Sequence, residues 1–189
     1  MICDDWGISV WELINLANNH PRVNILEPGP GVGGHCIAVD PWFIVSQASG
    51  KAKLTEAARL VNNKKPDWVV SKINDTISDY LYLNKNKSLN EISISIYGLA
   101  YKPNVDDLRE SPSIEIINRL GKFYDGVLNI VEPNIGALPS SILNKNVKLV
   151  EMEEAASSDI HVLLVRHSQF NDINAKLGPN SVLINVKGD

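Results

Sequence analysis

Cysteine is scarce in this 189-residue sequence, which has only Cys3 and Cys36. Two cysteines so far apart do not form the disulfide framework that small secreted domains carry. Together with the four histidines, they also lack the spacing of metal ligands. We therefore expect a reduced, cytoplasmic protein without a metal site.

Long hydrophobic runs and an excess of positive charge are missing as well. No apolar run approaches the length of about 18 residues that predicts a membrane span, so no span is expected. The first six residues, MICDDW, are acidic and do not resemble the basic start of a signal peptide. A net charge of −4 and a pI of about 5.6 argue against nucleic acid or an anionic membrane as a partner. A hydrophobic content of 44% suffices for the core of one large or two small domains.

Glycine, in contrast, is concentrated in one segment, residues 27–42, with the sequence EPGPGVGGHCIAVDPW. Four of the six positions from Gly29 to Gly34 are glycine, which leaves backbone N–H groups open to a ligand or to another segment. If a helix begins at Cys36, Asp40 shares a face with it and the helix N-terminus stabilises the thiolate. The alternative is a tight glycine turn beside a buried cysteine.

Apolar spacing predicts a helical first part of the chain. Residues 9–19 read as a helix capped by Ser9, and a second helix start is suggested at Asp40–Pro41. Further helices are predicted over 52–63 and again from Pro66, where the proline restarts the pattern. The polar stretch 83–90 has no periodicity. We place a domain boundary there, between a helical domain of residues 1–84 and a second domain of residues 91–189.

The second domain alternates strands and helices. Strands are predicted at 92–97, 127–131, 147–150, 160–165 and 181–186, and helices at 113–123, 141–143, 152–157 and 170–177. This order predicts an α/β fold with a doubly wound parallel sheet covered on both faces. Ligands then bind beyond the carboxyl ends of the strands, which are residues 98–103, 132–134, 166–168 and 187–188. Gly98 stands alone after the first strand, so a dinucleotide fingerprint is not expected in this domain.

A charged loop joins the first strand to the next helix, with the sequence YGLAYKPNVDDLRESP over residues 97–112. Lys102 and Arg109 are cations near a helix N-terminus, which itself favours anions. Asp106, Asp107 and Glu110 can pair with these cations and fix the loop. The alternative is a solvated loop whose surface ion pairs contribute little to stability.

Two motifs therefore follow each other, GVGGHCxxxD and GLAYKPxxDDxRESP. Together they resemble the nucleotide-sugar 6-dehydrogenases, the family of the UDP-glucose and GDP-mannose dehydrogenases. The similarity extends over essentially the whole chain. It is greatest to the branch that oxidises UDP-N-acetyl-D-mannosamine, to which the segments NNHPRVN (residues 18–24) and HSQF (residues 167–170) are also similar.

The resemblance implies a four-electron oxidation of the sugar C6 from alcohol to carboxylate by two NAD⁺, for surface polysaccharide synthesis. An aldehyde, a thiohemiacetal and a thioester are the implied intermediates. By position, Cys36 is the implied nucleophile and Asp40 the acid near the thiol. The implied substrate-binding residues are Arg22 at the nucleotide phosphates, the loop of Gly31, Gly33, Gly34 and His35 against the sugar, and Tyr101, Lys102 and Arg109.

The family also has an N-terminal NAD-binding domain and a linker that carries a catalytic lysine and asparagine, and neither is present in this sequence. We therefore expect the C-terminal part of such an enzyme, with no NAD bound by this chain, no turnover by these residues alone, and a homodimer formed through the helical segment. Two alternatives stay open. The substrate is UDP-GlcNAc, UDP-glucose or GDP-mannose, or the chain is a nucleotide-sugar-binding module without catalysis.

Overall fold

A computed structural model describes residues 1–143 and 145–186. Lys187 and Gly188, predicted to follow the last strand, lie outside the described residues. The helices are α1 (Ile2–Asp5), α2 (Val10–Asn18), α3 (Cys36–Gln47), α4 (Lys53–Leu83), α5 (Pro112–Leu120), α6 (Met152–Ala155) and α7 (Ile173–Lys176). The strands are β1 (Ile94–Tyr97), β2 (Leu128–Val131), β3 (Val147–Leu149), β4 (Ile160–Leu163) and β5 (Val182–Asn185). Short 3₁₀ turns occur at Leu89–Glu91 and Ser168–Phe170.

The five strands form one parallel sheet in the order β3-β2-β1-β4-β5. In β1, Ile94 lies opposite Leu128 on one side and Ile160 on the other. Every residue of β1, β2 and β4 is buried, as expected for strands covered on both faces. The predicted α/β fold with a doubly wound parallel sheet is confirmed, and the carboxyl ends of its strands meet at one edge.

Alternation along β1 sends its side chains to two separate cores. Ile94 and Ile96 pack with α4 and α5 on one face of the sheet. Tyr97 points to the other face, where it packs with Phe170 and Ile173 beside α6 and α7. Each face is therefore covered by helices, and the functional edge of the sheet is supported from both sides.

Helix α4 differs from the prediction, because it runs without interruption through Pro66 for 31 residues. Proline lacks an N–H, so the Asn62 carbonyl loses its usual donor four residues ahead. The Pro66 ring is buried, and burial of the helix beyond it against the sheet offsets the lost hydrogen bond. The domain boundary between residues 84 and 91 stays a prediction.

Two shorter elements also depart from the sequence pattern. Residues 141–143 form no helix, and the Ile142 N–H instead closes a turn on Pro139. The helix predicted over 170–177 is split into a 3₁₀ turn and α7. In the first domain, α2 is confirmed, with the Ser9 side chain accepting a hydrogen bond from the Glu12 N–H at 3.3 Å. Within the described ranges, no helix has an apolar stretch sufficient to cross a membrane.

Candidate functional site

The glycine loop, residues 29–34, lies directly on the charged loop that follows β1. The Gly34 N–H donates to the Arg109 carbonyl at 3.0 Å. A Cβ on Gly34, whose φ is +86°, would lie 2.9 Å from the Tyr101 ring, and one on Gly33 would lie 2.3 Å from the Glu110 carbonyl. Glycine is therefore needed at both positions because the two loops approach each other more closely than any side chain allows.

Asn62 holds the other side of the glycine loop. Its side-chain oxygen accepts from the Val32 N–H at 2.8 Å, and its amide donates to the Val32 carbonyl at 3.2 Å. The glycine loop is thus clamped between the middle of α4 and the charged loop. The sequence analysis did not identify Asn62, since nothing in a helical pattern distinguishes it from other exposed polar residues.

The clamped loop leads directly into α3, whose first residue is Cys36. Cys36 is exposed, so the alternative of a buried cysteine is wrong. Its sulfur lies 3.8 Å from Nδ1 of His35, the residue that precedes the helix. Asp40 is exposed one turn later on the same face, as the spacing predicts. The helix start suggested at Pro41 is wrong, because Pro41 lies inside α3.

A cavity of about 560 Å³ lies between the glycine loop, α4 and the carboxyl ends of β1 and β4. Four predicted binding residues line it together: Gly31, Gly33, Tyr101 and Lys102. The Lys102 ammonium is 5.4 Å from the Tyr101 ring centroid, within range of a cation–π interaction. Ile37 also lines the cavity, whereas the exposed Cys36 that precedes it in the chain does not.

Arg109 is fixed by its neighbour Asp107. Its Nε lies 3.0 and 3.1 Å from the two carboxylate oxygens, and one terminal nitrogen lies 2.7 Å from Oδ2. These hydrogen bonds lower the pKa of Asp107 to about 2. They also raise the pKa of Arg109, with a smaller contribution from attraction to the Cys36 sulfur. The predicted pairing of the loop charges is therefore present, and it uses Asp107.

Arg22 lies apart from this cavity. It is an exposed residue of the turn after α2, and its N–H donates to Nδ1 of His20 at 3.3 Å. The other predicted site residues that do not line the cavity are Gly34, His35, Cys36, Asp40 and Arg109. Within the described ranges, no three His, Cys, Asp or Glu side chains lie close enough to hold a metal ion.

A buried pair, Glu132 and His167, lies behind the cavity and was missed as a pair by the sequence analysis. Nε2 of His167 is 2.9 Å from Oε2 of Glu132, and both side chains are fully buried. Burial raises the pKa of Glu132, but hydrogen bonds from His167 and the Leu99 N–H outweigh it, so that the pKa lies below its ordinary value. The signal was available, since both residues follow strands at the predicted ligand edge.

Family models match the two parts of the chain separately. Residues 1–64 match the central domain of the UDP-glucose/GDP-mannose dehydrogenase family, and residues 95–188 match the UDP binding domain of the same family. The two matches together cover most of the chain, and the glycine loop with Cys36 falls in the first and Lys102 in the second.

Individual relatives agree with the family models. The chain is 49% identical over all 189 residues to the UDP-N-acetyl-D-mannosamine dehydrogenase of Escherichia coli, of which it covers 44%. It is 46% identical to the NDP-N-acetyl-D-galactosaminuronic acid dehydrogenase of Ralstonia nicotianae, of which it covers 42%.

Among solved structures, the UDP-N-acetyl-mannosamine dehydrogenase Cap5O of S. aureus superposes with a TM-score of 0.73 at 31% identity, over 99% of this chain and 46% of that one. The chain thus spans less than half the length of the relatives that it matches. With its paired domains, its glycine loop and its cavity, it belongs to the UDP-glucose/GDP-mannose dehydrogenase family.

Proposed function

We propose that this chain is the substrate-binding and thiol-bearing part of an NAD-dependent dehydrogenase that oxidises UDP-N-acetyl-D-mannosamine to the uronate in the cytoplasm, for surface polysaccharide synthesis. One observation carries the proposal. The glycine loop is held against the Tyr101 ring and the Arg109 carbonyl and leads into the exposed Cys36 at the start of α3, and the next residue, Ile37, lines the same cavity as Lys102. The 49% identity to the Escherichia coli enzyme supports the choice of substrate.

The chain's own residues supply the covalent and binding steps. The Cys36 thiolate adds to the C6 aldehyde to form a thiohemiacetal. Asp40, one turn away on the same helix face, orients the water that later cleaves the thioester. Lys102 contacts the substrate in the cavity. Arg22 binds the nucleotide phosphates, and in a homodimer it reaches them from the neighbouring subunit.

NAD⁺ accepts the hydrides in this family. The described residues do not fit its phosphates, because only Gly98 follows β1 and a dinucleotide-binding turn needs several glycines there. Gly29, Gly31 and Gly34 have the spacing of such a turn, but no strand precedes them. We therefore assign NAD binding to residues outside this chain, and we expect no turnover from these 189 residues alone.

The substrate has competitors within the same class. The 46% identity to an NDP-N-acetyl-D-galactosaminuronic acid dehydrogenase is close to the 49% identity that favours the mannosamine sugar. UDP-GlcNAc, UDP-glucose and GDP-mannose are the other candidates. A nucleotide-sugar-binding module without catalysis is the alternative of a different kind, and it predicts an unreactive Cys36.

Thiol alkylation distinguishes an active-site thiol from a passive one. In a Cys3→Ser background, Cys36 is expected to react with iodoacetamide faster than a free peptide thiol, and UDP-N-acetyl-D-mannosamine is expected to protect it. The control is Cys36→Ser with Cys3 retained, where the sugar nucleotide should change nothing. A Cys36 that reacts slowly and is not protected would contradict the proposal.

NADH formation when the chain is mixed with NAD⁺ and substrate would contradict the assignment of NAD binding to residues outside this chain.

A further inference from the structure

The strand ends behind the cavity carry a buried acid and a buried imidazole for which the proposed chemistry has no use. Glu132 follows β2 and His167 follows β4. Both side chains have no solvent exposure, and neither lines the 560 Å³ cavity. Neither residue can therefore touch the substrate, and any role in binding must act through other residues.

The hydrogen bonds of His167 fix its protonation. The backbone N–H of Asn104 donates to Nδ1 at 2.8 Å. A backbone nitrogen can only donate, so Nδ1 must be the unprotonated acceptor. The ring proton is then on Nε2, from which it is donated to Oε2 of Glu132 at 2.9 Å. The imidazole therefore accepts a hydrogen bond from Asn104 and donates one to the Glu132 carboxylate.

The carboxylate extends this bridge to the other end of the same loop. Oε2 of Glu132 also accepts the N–H groups of Leu99 at 2.7 Å and Ala100 at 3.1 Å. The loop is therefore held before Tyr101 and after Pro103 by one connected pair of side chains. Lys102 lies between the two attachment points, and it faces the cavity.

The second attachment point holds an unusual backbone conformation. Asn104 has a φ of +59°, in the left-handed region that few residues other than glycine and asparagine adopt. Its side-chain oxygen accepts from the Ser168 N–H at 2.8 Å, next to His167. His167 and Ser168 thus bind the backbone and the side chain of Asn104, the residue at which the loop turns back.

We propose that the Glu132–His167 pair positions the segment of Tyr101, Lys102 and Pro103, and thereby sets the affinity of the cavity for a nucleoside diphosphate. The inference rests on the proposed function, because it assumes that Lys102 contacts the nucleotide-sugar. The Glu132 carboxylate accepts the N–H groups of Leu99 and Ala100 at one end of the segment. The His167 imidazole, bonded to that carboxylate, accepts the N–H of Asn104 at the other end.

His161 provides a matched control in β4, the strand that precedes His167. It is also fully buried, and its Nδ1 is 2.9 Å from the hydroxyl of Tyr97, whose ring packs against Phe170. Its Nε2 has no hydrogen-bond partner in the described part of the chain, and its one hydrogen-bonded nitrogen there contacts Tyr97 and not residues 99–104. Its replacement therefore removes a buried imidazole without detaching the Lys102 segment.

The test is calorimetric titration of the 189-residue chain with UDP. His167→Asn is expected to weaken UDP binding about tenfold, the effect of losing one hydrogen bond to a charged group. In a Lys102→Ala background the same change should cost less than about twofold, because the pair acts through Lys102. Amide hydrogen exchange at Leu99, Ala100 and Asn104 should become faster in His167→Asn.

His161→Asn is expected to leave UDP affinity within about twofold of the unchanged chain. Equal weakening by His167→Asn and His161→Asn, or full additivity with Lys102→Ala, would overturn the positioning role. If His167→Asn does not fold, Glu132→Gln is measured instead, and unchanged UDP affinity there would overturn it too. Failure of the unchanged chain to bind UDP would overturn both this inference and the proposed function, whereas unchanged affinity in His167→Asn would overturn this inference alone.

Discussion

At the scale of single residues, the site depends on positions where a side chain is excluded. Gly34 combines a φ of +86° with a Tyr101 ring 2.9 Å from where a Cβ would lie. Gly50 has a similar φ of +79° but has open space around it. The two glycines therefore separate the cost of backbone strain from the cost of close approach.

We expect Gly34→Ala to lower the free energy of unfolding by about 1–3 kcal/mol and to displace Tyr101 from the cavity. Gly50→Ala carries the strain alone and should cost only about 1 kcal/mol. Urea denaturation measures both, and alkylation of Cys36 with and without UDP reports the state of the site. Equal losses of stability, with equal protection of Cys36, would show that the Tyr101 contact is unimportant.

At the scale of elements, Asp159 ties the end of α4 to the start of the sheet. Its Oδ1 accepts from the Tyr80 hydroxyl at 2.6 Å and from the Lys87 ammonium at 2.5 Å. Its Oδ2 accepts from the Ser93 N–H at 2.9 Å. Partial burial raises the pKa of Asp159, but these hydrogen bonds outweigh it and lower the pKa to about 2.

A depressed pKa in the folded state makes the contribution of Asp159 to stability largest above the pKa of about 4 that an unfolded aspartate has. That contribution is lost as the pH falls from about 4 towards 2. We expect Asp159→Asn to lower the free energy of unfolding at pH 7 by about 2 kcal/mol and to flatten its decline in acid.

Asp107→Asn is the matched control, since the pKa of Asp107 is also about 2 but its partner Arg109 is exposed. It should change stability at pH 7 far less than Asp159→Asn. Urea denaturation between pH 2 and 7 measures both variants. An unchanged acid decline in Asp159→Asn would contradict the assignment.

Helices and strands were predicted well where the local sequence pattern determines them and poorly where packing against distant segments determines them. The strand around Ile94 reads as alternating isoleucine and serine and the strand around Ile160 as an apolar run, and both are buried on both faces. The continuity of α4 could not be read, because a proline normally starts or breaks a helix, and only burial of the helix beyond Pro66 against the sheet carries it through. Likewise the motifs identified Cys36 and Lys102, but the side-chain bonds of Asn62 and of Glu132 with His167 join segments that are far apart in the chain.

At the scale of the whole molecule, the helical segment leaves much apolar surface uncovered. Trp6 is 72% exposed, Leu16 65% and Leu26 80%, whereas the sheet domain buries most of its large apolar side chains. Exposed apolar area of this kind is typical of a surface that binds a partner. We propose a second copy of the chain as that partner, as the family resemblance implies.

Sedimentation velocity of the 189-residue chain is expected to show a dimer at micromolar concentration. Trp6→Lys combined with Leu16→Lys should shift it towards monomer, because both charges would lie in the apolar interface. The control is Leu143→Lys, an exposed apolar residue far along the chain from the helical segment, which should leave the dimer intact. A monomer at high concentration would contradict the proposal.

The continuity of α4 has a consequence for engineering hybrids between relatives. The same helix contacts the glycine loop through Asn62 and the sheet core through Ile73, so the segment before Cys36 and the sheet domain are joined by one helix. A chimera that joins two parents between Asn62 and Ile73 takes these two contacts of one helix from different parents. To exchange sugar preference between relatives, the junction should therefore lie before Lys53, so that the whole of α4 and the sheet come from the same parent.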